Sequence, residues 1–288
     1  MKIAQNYKIW FSISLAVMIL GLVMALTSGI NFGIDFTGGT MMQFKIGQEF
    51  TVEEVRELIA QFELDPDIVH AGTDSMEVII KTKKDLSNQE RMDIFEVFKQ
   101  KYNLEDIDFR EAQQFGASVG EEITNRALIS IVLASIGMLI YITFRFNSIK
   151  FGAAAIIALI HDTLIVLSIY AIVKIPVNSS VIAAILTIVG YSINDTIVVF
   201  DRLRENLKYK KKETHFEIAD TSIKQTLTRS INTSLTTLLV IGCLFIFGVE
   251  SIREFALPLL AGVITGTYSS IFIASPVWAL SNSIGKAQ

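Results

Sequence analysis

The sequence predicts a membrane bundle of six helical spans that carries one small α+β domain outside the lipid. Three observations predict it. Of the 288 residues, 51% are hydrophobic and 19% charged, with a mean hydropathy of +0.48. The apolar residues fall in long uninterrupted blocks instead of at amphipathic intervals. A single long acidic stretch separates the first block from the second.

The blocks come first. Ile9–Ile30, Ala127–Phe144, Ile231–Val249 and Phe255–Ile284 contain no Asp, Glu, Lys or Arg, and each reaches the roughly 18 to 20 residues that cross hydrocarbon as a helix. Phe151–Val173 is interrupted only by His161 and Asp162, and Val177–Phe200 only by Asp195. Each block must be helical, because lipid offers no partner to a free backbone N–H or C=O. Lys2 and Lys8 precede the first block as in a signal peptide. Its apolar run exceeds the roughly 7 to 15 residues of such a segment, and no small-residue cleavage site follows. Residues 1–30 are therefore expected to hold an uncleaved first span. The lone Cys243 lies inside the fifth block, so cysteine says nothing about compartment.

Orientation follows from basic residues, which stay on the cytoplasmic side in short loops. With the N-terminus inside, the inner segments hold Lys2, Lys8, Arg145, Lys150, the cluster from Arg202 to Arg229, and Lys286; the short outer loops hold only Lys174 and Arg253. The expectation is a multi-pass protein of the cell (cytoplasmic) membrane with both termini cytoplasmic. Residues 31–122 carry a net charge of −11 and the remainder +7. An acidic outer domain over a basic inner face argues against nucleic acid as a partner, since phosphate contacts demand clustered Lys and Arg.

Within residues 31–122 the periodicity changes. Thr40–Ile46 alternates as a strand does, and Thr51 with Glu54 forms a capping box for a helix reaching Phe62. Val69–Ala71 and Glu77–Lys81 read as strands around the turn Gly72–Ser75. Ser87 with Glu90 opens a second helix to about Tyr102, and Ile107–Phe109 reads as a last strand. The order βαββαβ predicts a ferredoxin-like α/β sandwich, and roughly 80 residues can bury a modest core. Residues 123–288 are expected to form a five-span bundle with a charged cytoplasmic connector near 201–228. Walker A, Rossmann-glycine, HExxH and GxSxG patterns do not occur. No nucleotide, cofactor or metal is implied, and any energy used comes from an ion gradient or a partner.

Chemistry is expected where charge interrupts the apolar blocks. An ionised Asp near mid-membrane costs at least roughly 2.5 to 3.5 kcal/mol, so Asp195 must face a wet cavity, pair with a cation or be protonated. It sits in the polar patch Gly190-Tyr-Ser-Ile-Asn-Asp-Thr196; the plainer reading is an Asp solvated at the inner end of span four. Arg229 opens the fifth block, and Thr233, Thr236 and Thr237 follow at helical spacing, predicting an inward polar stripe. If spans four and five are neighbours, Arg229 can pair with Asp195 and release it; otherwise it anchors a helix end at the headgroups. His161 and Asp162, mid-span, form either a relay with the Asp195 patch or a static interhelical hydrogen bond. Gly262 and Gly266 form a GxxxG that serves either ordinary packing or a dimer contact.

Just beyond span one, Gly33-Ile-Asp-Phe-Thr-Gly-Gly-Thr40 combines the Asp35 carboxylate with three glycines, a turn of unusual dihedrals. Gly33, Asp35, Gly38 and Gly39 in this segment resemble the signature of the SecD/SecF protein-export family. Gly190–Asn206, GYSINDTIVVFDRLREN, with Asn194 inside it, looks like the SecF form of the fourth-span motif. His161-Asp162 and Arg229-Ser-Ile-Asn-Thr-Ser-Leu-Thr-Thr237 are similar too. The resemblance covers essentially the whole chain, and the single six-span unit is similar to a separate SecF more than to the fused form.

The resemblance implies a protein of the resistance-nodulation-division superfamily that works with SecD beside the SecYEG channel. There the proton gradient moves the outer domains and helps draw the exported preprotein across late in translocation. By that resemblance the essential intramembrane carboxylate and arginine fall on Asp195 and Arg229, a second key aspartate is supplied by SecD, and Asp35 has a structural or coupling role. One proton crossing 100 mV releases about 2.3 kcal/mol, enough to bias a two-state domain. Three rival readings remain open, a purely structural scaffold among them. A small-molecule efflux transporter of the same superfamily would usually need a larger outer portion. An intramembrane aspartyl protease would use Asp162 and Asp195, but the glycines its motif requires are missing, so the chain is not expected to be an enzyme.

Overall fold

The structure is a computed structural model and describes residues 2–72, 74–209 and 212–284. Lys286, Lys210 and Lys211 of the inner basic set, and Thr73 of the expected hairpin turn, lie outside the described residues. Six helices are long and apolar enough to cross a membrane, and a four-stranded antiparallel sheet stands between the first and second of them.

The first span is α1 (Tyr7–Ser28). A single helical turn, α2 (Ile34–Thr37), leads into β1 (Gly39–Lys45), then α3 (Val52–Ile59), β2 (Asp67–Ala71), β3 (Glu77–Thr82), α4 (Asn88–Tyr102) and β4 (Phe109–Phe115). The sheet order is β2-β3-β1-β4 with every pair antiparallel, the arrangement of the ferredoxin-like sandwich expected from the element order. Both capping boxes form: Thr51 with Glu54 at α3, and Ser87 with Glu90 at α4. Alternate residues of the central strands, Met42 and Phe44 on β1 and Val78 and Ile80 on β3, meet Ile94, Phe95 and Phe98 of α4 in the core. The Phe44 ring lies 5.0–5.3 Å from the rings of Phe95, Phe98 and Phe109. Gly39 is required where β1 begins, because its φ of 141° and the nearness of the Thr82 carbonyl exclude a Cβ.

One strand differs from expectation. Ile107 is 72% exposed and belongs to a 3-10 turn at Asp106–Asp108; the strand itself starts at Phe109. β4 lies at the sheet edge and its sequence, FREAQQF, is polar on both faces, so alternation does not mark it.

The remaining spans are α5 (Ala117–Phe146), α6 (Ile149–Val173), α7 (Ser179–Tyr209), α8 (His215–Phe247), and a sixth made of α9 (Glu250–Ser269), a π-turn (Ser270–Ala274) and α10 (Ser275–Ile284). At least half of the apolar window of α6, α7 and the sixth span is buried, against 6–17% in α1, α5 and α8. The first three therefore form the centre and the other three the rim. The stretch 201–228 is largely helical, as α7 runs past its apolar block and α8 begins well before its own. At 1.5 Å per residue each is roughly 46 to 50 Å long, against a hydrocarbon core of roughly 30 Å, so each is longer than a perpendicular crossing needs.

Gly262 and Gly266 are filled from within the chain. A Cβ on Gly262 would overlap the Ile188 side chain, and one on Gly266 would lie 2.9 Å from Ser192 Cβ. The GxxxG stripe is thus the α7–α9 packing seam. At the end where α7 gives way to α8, Ile3 and Ala4 are buried among Phe200, Leu203, Ala219 and Trp278, and the Ala4 N–H donates to Asp220 Oδ1 at 2.6 Å.

Candidate functional site

The charged residues that interrupt the apolar blocks converge in the bundle centre. On α7, Ser192, Asp195 and Thr196 are spaced to share one face, and all are buried. Across from them α6 brings Asp162, 1% exposed, and His161, 6% exposed. Asp162 Oδ2 accepts the hydroxyls of Ser192 at 2.6 Å and Ser269 at 2.8 Å, while Oδ1 lies 3.1 Å from His161 Nδ1. The other imidazole nitrogen, Nε2, is 2.8 Å from Ser14 Oγ on α1. Ser14 Oγ in turn is 3.3 Å from Tyr268 Oη, which donates to the Trp10 carbonyl at 2.9 Å. One polar network therefore ties α1, α6, α7 and the sixth span together.

Asp195 is held differently. The hydroxyls of Ser230 and Ser270 and the charge of Arg229 face it, yet its Oδ2 is a buried oxygen without a hydrogen-bond partner, and so is Ser230 Oγ. Ser270 Oγ lies 2.9 Å from Thr196 Oγ1. Asp195 is thus a buried carboxylate with one unfilled bond and a cation one residue away from the facing serine. Arg229 itself is exposed on α8 and makes no ion pair with Asp195 among the described residues.

A second set of contacts joins the sheet domain to the ends of the spans nearest it. Asp35 Oδ2 accepts the Ser179 N–H at 2.8 Å and the Ser179 hydroxyl at 2.5 Å. The Gly33 N–H donates to the Val177 carbonyl at 2.8 Å, and the Val177 N–H to the Asn31 carbonyl at 2.7 Å. Lys81 of β3 pairs with Glu254 of α9 at 2.8 Å, and Glu254 also accepts from Asn178 at 2.8 Å. Asn31, Gly33, Asp35, Lys81, Asn178 and Glu254 line a polar cleft of about 280 Å³ between domain and bundle.

With this geometry in view, comparison with known proteins is direct. The family described as protein export membrane protein SecD/SecF, C-terminal, matches residues 95–283, and the SecD/SecF GG motif matches residues 23–49. The chain belongs to the SecD/SecF protein-export family. A protein translocase subunit SecF from Desulfurispirillum indicum is 40% identical over 92% of this chain and 86% of its own length. SecDF of Bacillus subtilis is 37% identical over 94% of this chain and 37% of its own length. The crystal structure of SecDF from Thermus thermophilus, a translocon-associated membrane protein, superposes with a TM-score of 0.81 at 32% identity, covering 99% of this chain and 38% of that one. The chain thus spans little more than a third of the SecDF proteins it matches. Its relatives place it as a multi-pass membrane subunit of a Sec-type export system.

Of the family signature residues, Gly33 and Asp35 meet the start of α7, and Gly38 and Gly39 turn the chain into β1. Asn194, next to Asp195 in sequence, is exposed on the opposite side of α7. The expected inward stripe on α8 is corrected. Thr233 and Thr236 are exposed and Thr237 is half-buried, their hydroxyls bonded back to Arg229 and Thr233 carbonyls. The buried polar face of α8 is Ser222, Thr226, Ser230 and Ser234, at a strict four-residue spacing that the sequence displays. Ser192 lies in the polar patch and Ser230 in the Arg229–Thr237 motif read from the sequence, whereas Ser269 and Ser270 are the site residues that carboxylate-led reading passes over.

Proposed function

We propose that this chain serves protein export as a SecF-type subunit, pairing in the membrane with a SecD chain beside the SecYEG channel, and that proton exchange at Asp195 promotes late translocation of the preprotein. Asp195 carries the reading: a carboxylate buried at membrane depth with an unfilled oxygen, faced by Ser230, Ser270 and the Arg229 charge, has the environment an exchangeable proton needs. Protonation removes its attraction for Arg229 and lets α7 and α8 rearrange, with Asp162 and His161 extending the relay. No chemical bond is broken in this scheme, so the role is not enzymatic.

One further feature supports a SecD partner: the exposed face of α8 bearing Arg229, Thr233 and Thr236 is polar where lipid would be a poor neighbour. In this reading residues 31–122 form the outer unit above spans 1–30 and 123–288. The basic segment 201–228 and both termini face the cytoplasm, which the charge balance supports.

The test is reconstitution of this chain with its SecD partner and translocon, following late-stage translocation with and without a proton gradient. The gradient should accelerate transport, and Asp195→Asn or Arg229→Ala should abolish the acceleration while assembly persists. Export that responds equally in both variants would refute the reading.

A further inference from the structure

We propose that Ser269 and Ser270 are positioning residues that join the two intramembrane carboxylates, so that ion exchange at Asp195 alters the hold on Asp162. The proposal rests on the ion-coupling reading above and adds to it two residues and a backbone element.

The element is the π-turn at Ser270–Ala274. Such a turn inserts an extra residue into an α-helix, is rare, and occurs frequently at functional sites. Here it lies where the sixth span passes between α6 and α7. Ser269, the last residue of regular α9, gives its hydroxyl to Asp162 Oδ2 at 2.8 Å. Ser270, the first of the π-turn, lies 2.9 Å from Oγ1 of Thr196, the residue after Asp195, and its hydroxyl reaches the Gly266 carbonyl at 2.8 Å on the side of α7 that carries Asp195. Neighbouring residues of one backbone turn thus serve different acids on different helices.

The connection closes on itself. Ser192 gives its hydroxyl to Asp162 at 2.6 Å, while its carbonyl lies 3.4 Å from Ser270 Oγ. The Ser270 carbonyl also accepts the Ser275 hydroxyl at 3.1 Å, five residues on, which adds a side-chain bond across the π-turn. Ser269, Ser270 and Ser275 are all fully buried, so solvent does not compete for these bonds. In this proposal a change in charge at Asp195 draws the Ser270 hydroxyl away from the Gly266 and Ser192 carbonyls, and the backbone that carries Ser270 carries Ser269 as well. The titratable and charged groups that face the two acids are His161 on α6, at Asp162, and Arg229 on α8, toward Asp195; Ser14 of α1 and Tyr268 of the sixth span contact His161 instead, and Tyr191 of α7 bonds Ser234.

The experiment is an infrared pH titration of the full-length chain in lipid nanodiscs, reading the carboxyl C=O band that Asp195→Asn removes. Ser269 does not touch Asp195, yet Ser269→Ala should move the Asp195 midpoint by about half a pH unit, a roughly threefold change in proton affinity. Ser269→Cys, nearly the same size and a weak donor, should move it less and stands in should the alanine variant fail to fold. A purely structural role would lower thermal stability and leave the midpoint in place. If both Ser269 variants leave the midpoint unchanged while Ser270→Ala shifts it, the acids titrate independently and the inference falls, with the ion-coupling reading intact. If the Asp195 band does not titrate in the wild-type chain, both fall.

Discussion

The Asp35 carboxylate closes the N-terminus of α7 by accepting both the N–H and the hydroxyl of Ser179, 144 residues away in the chain. The same helix carries Asp195, which lies roughly 24 Å further along at 1.5 Å per residue. The signature segment and the intramembrane acid are therefore joined by one helix, at its start and about its midpoint.

Replacing the cap tests that link. Asp35→Ala removes the acceptor for the first amide of α7 and should cost about 1 kcal/mol, seen as faster hydrogen exchange across residues 179–182 and weaker export. Asp35→Asn keeps an acceptor oxygen and should retain most of both. Unchanged exchange in the alanine variant would mean that the contact does not hold the helix end.

Asp162 should be less replaceable than its depth alone suggests. It gathers two serine hydroxyls and a histidine nitrogen, and Asp162→Ala strands all of them, at about 1 to 3 kcal/mol. Asp162→Asn keeps one acceptor oxygen and should unfold closer to the wild-type temperature. Thermal denaturation in detergent compares the two.

The α7–α9 seam predicts a steric effect. Gly262→Val places branched carbon onto Ile188 and should destabilise the bundle by about 1 to 3 kcal/mol. Gly242, with nothing near its missing Cβ, is the control, and Gly242→Ala should unfold no earlier than the parent chain.

One pH effect belongs to the sheet domain. The Ser87 hydroxyl, followed by the Ser87 backbone N–H, holds the Glu90 carboxyl below the ordinary glutamate value. A depressed folded-state value stabilises the cap fully above the unfolded glutamate range, and that contribution disappears as pH falls through the lowered value. Hydrogen exchange at the first turn of α4 should therefore quicken on acidification beyond its intrinsic pH dependence. In Ser87→Ala this extra acid sensitivity should shrink.

Much of this was legible because lipid and capping leave strong marks on sequence. A block such as Ile9–Ile30 has one use, and Thr51 with Glu54 names a helix start outright. Asp162 and Asp195 stood out because an acid in an apolar block demands explanation. Helical phase is harder to read: Arg229, Thr233 and Thr236 do share a face, but spacing cannot say whether that face or the one through Thr226 and Ser230 turns inward. Ser269 and Ser270 sit among apolar neighbours where serine is unremarked, and the extra residue of a π-turn leaves no compositional trace. β4 was hidden for the opposite reason, since an edge strand has no need to alternate.

The docking of Ile3 and Ala4 has a consequence for biosynthesis. Asp220, which receives the Ala4 amide, lies 216 residues downstream, and Trp278, which helps bury Ile3, emerges later still. The ribosome therefore delivers these two residues long before their resting place exists. Their seating can form only once α8 and the sixth span have been made, and it ties the segment before α1 to helices that emerge much later.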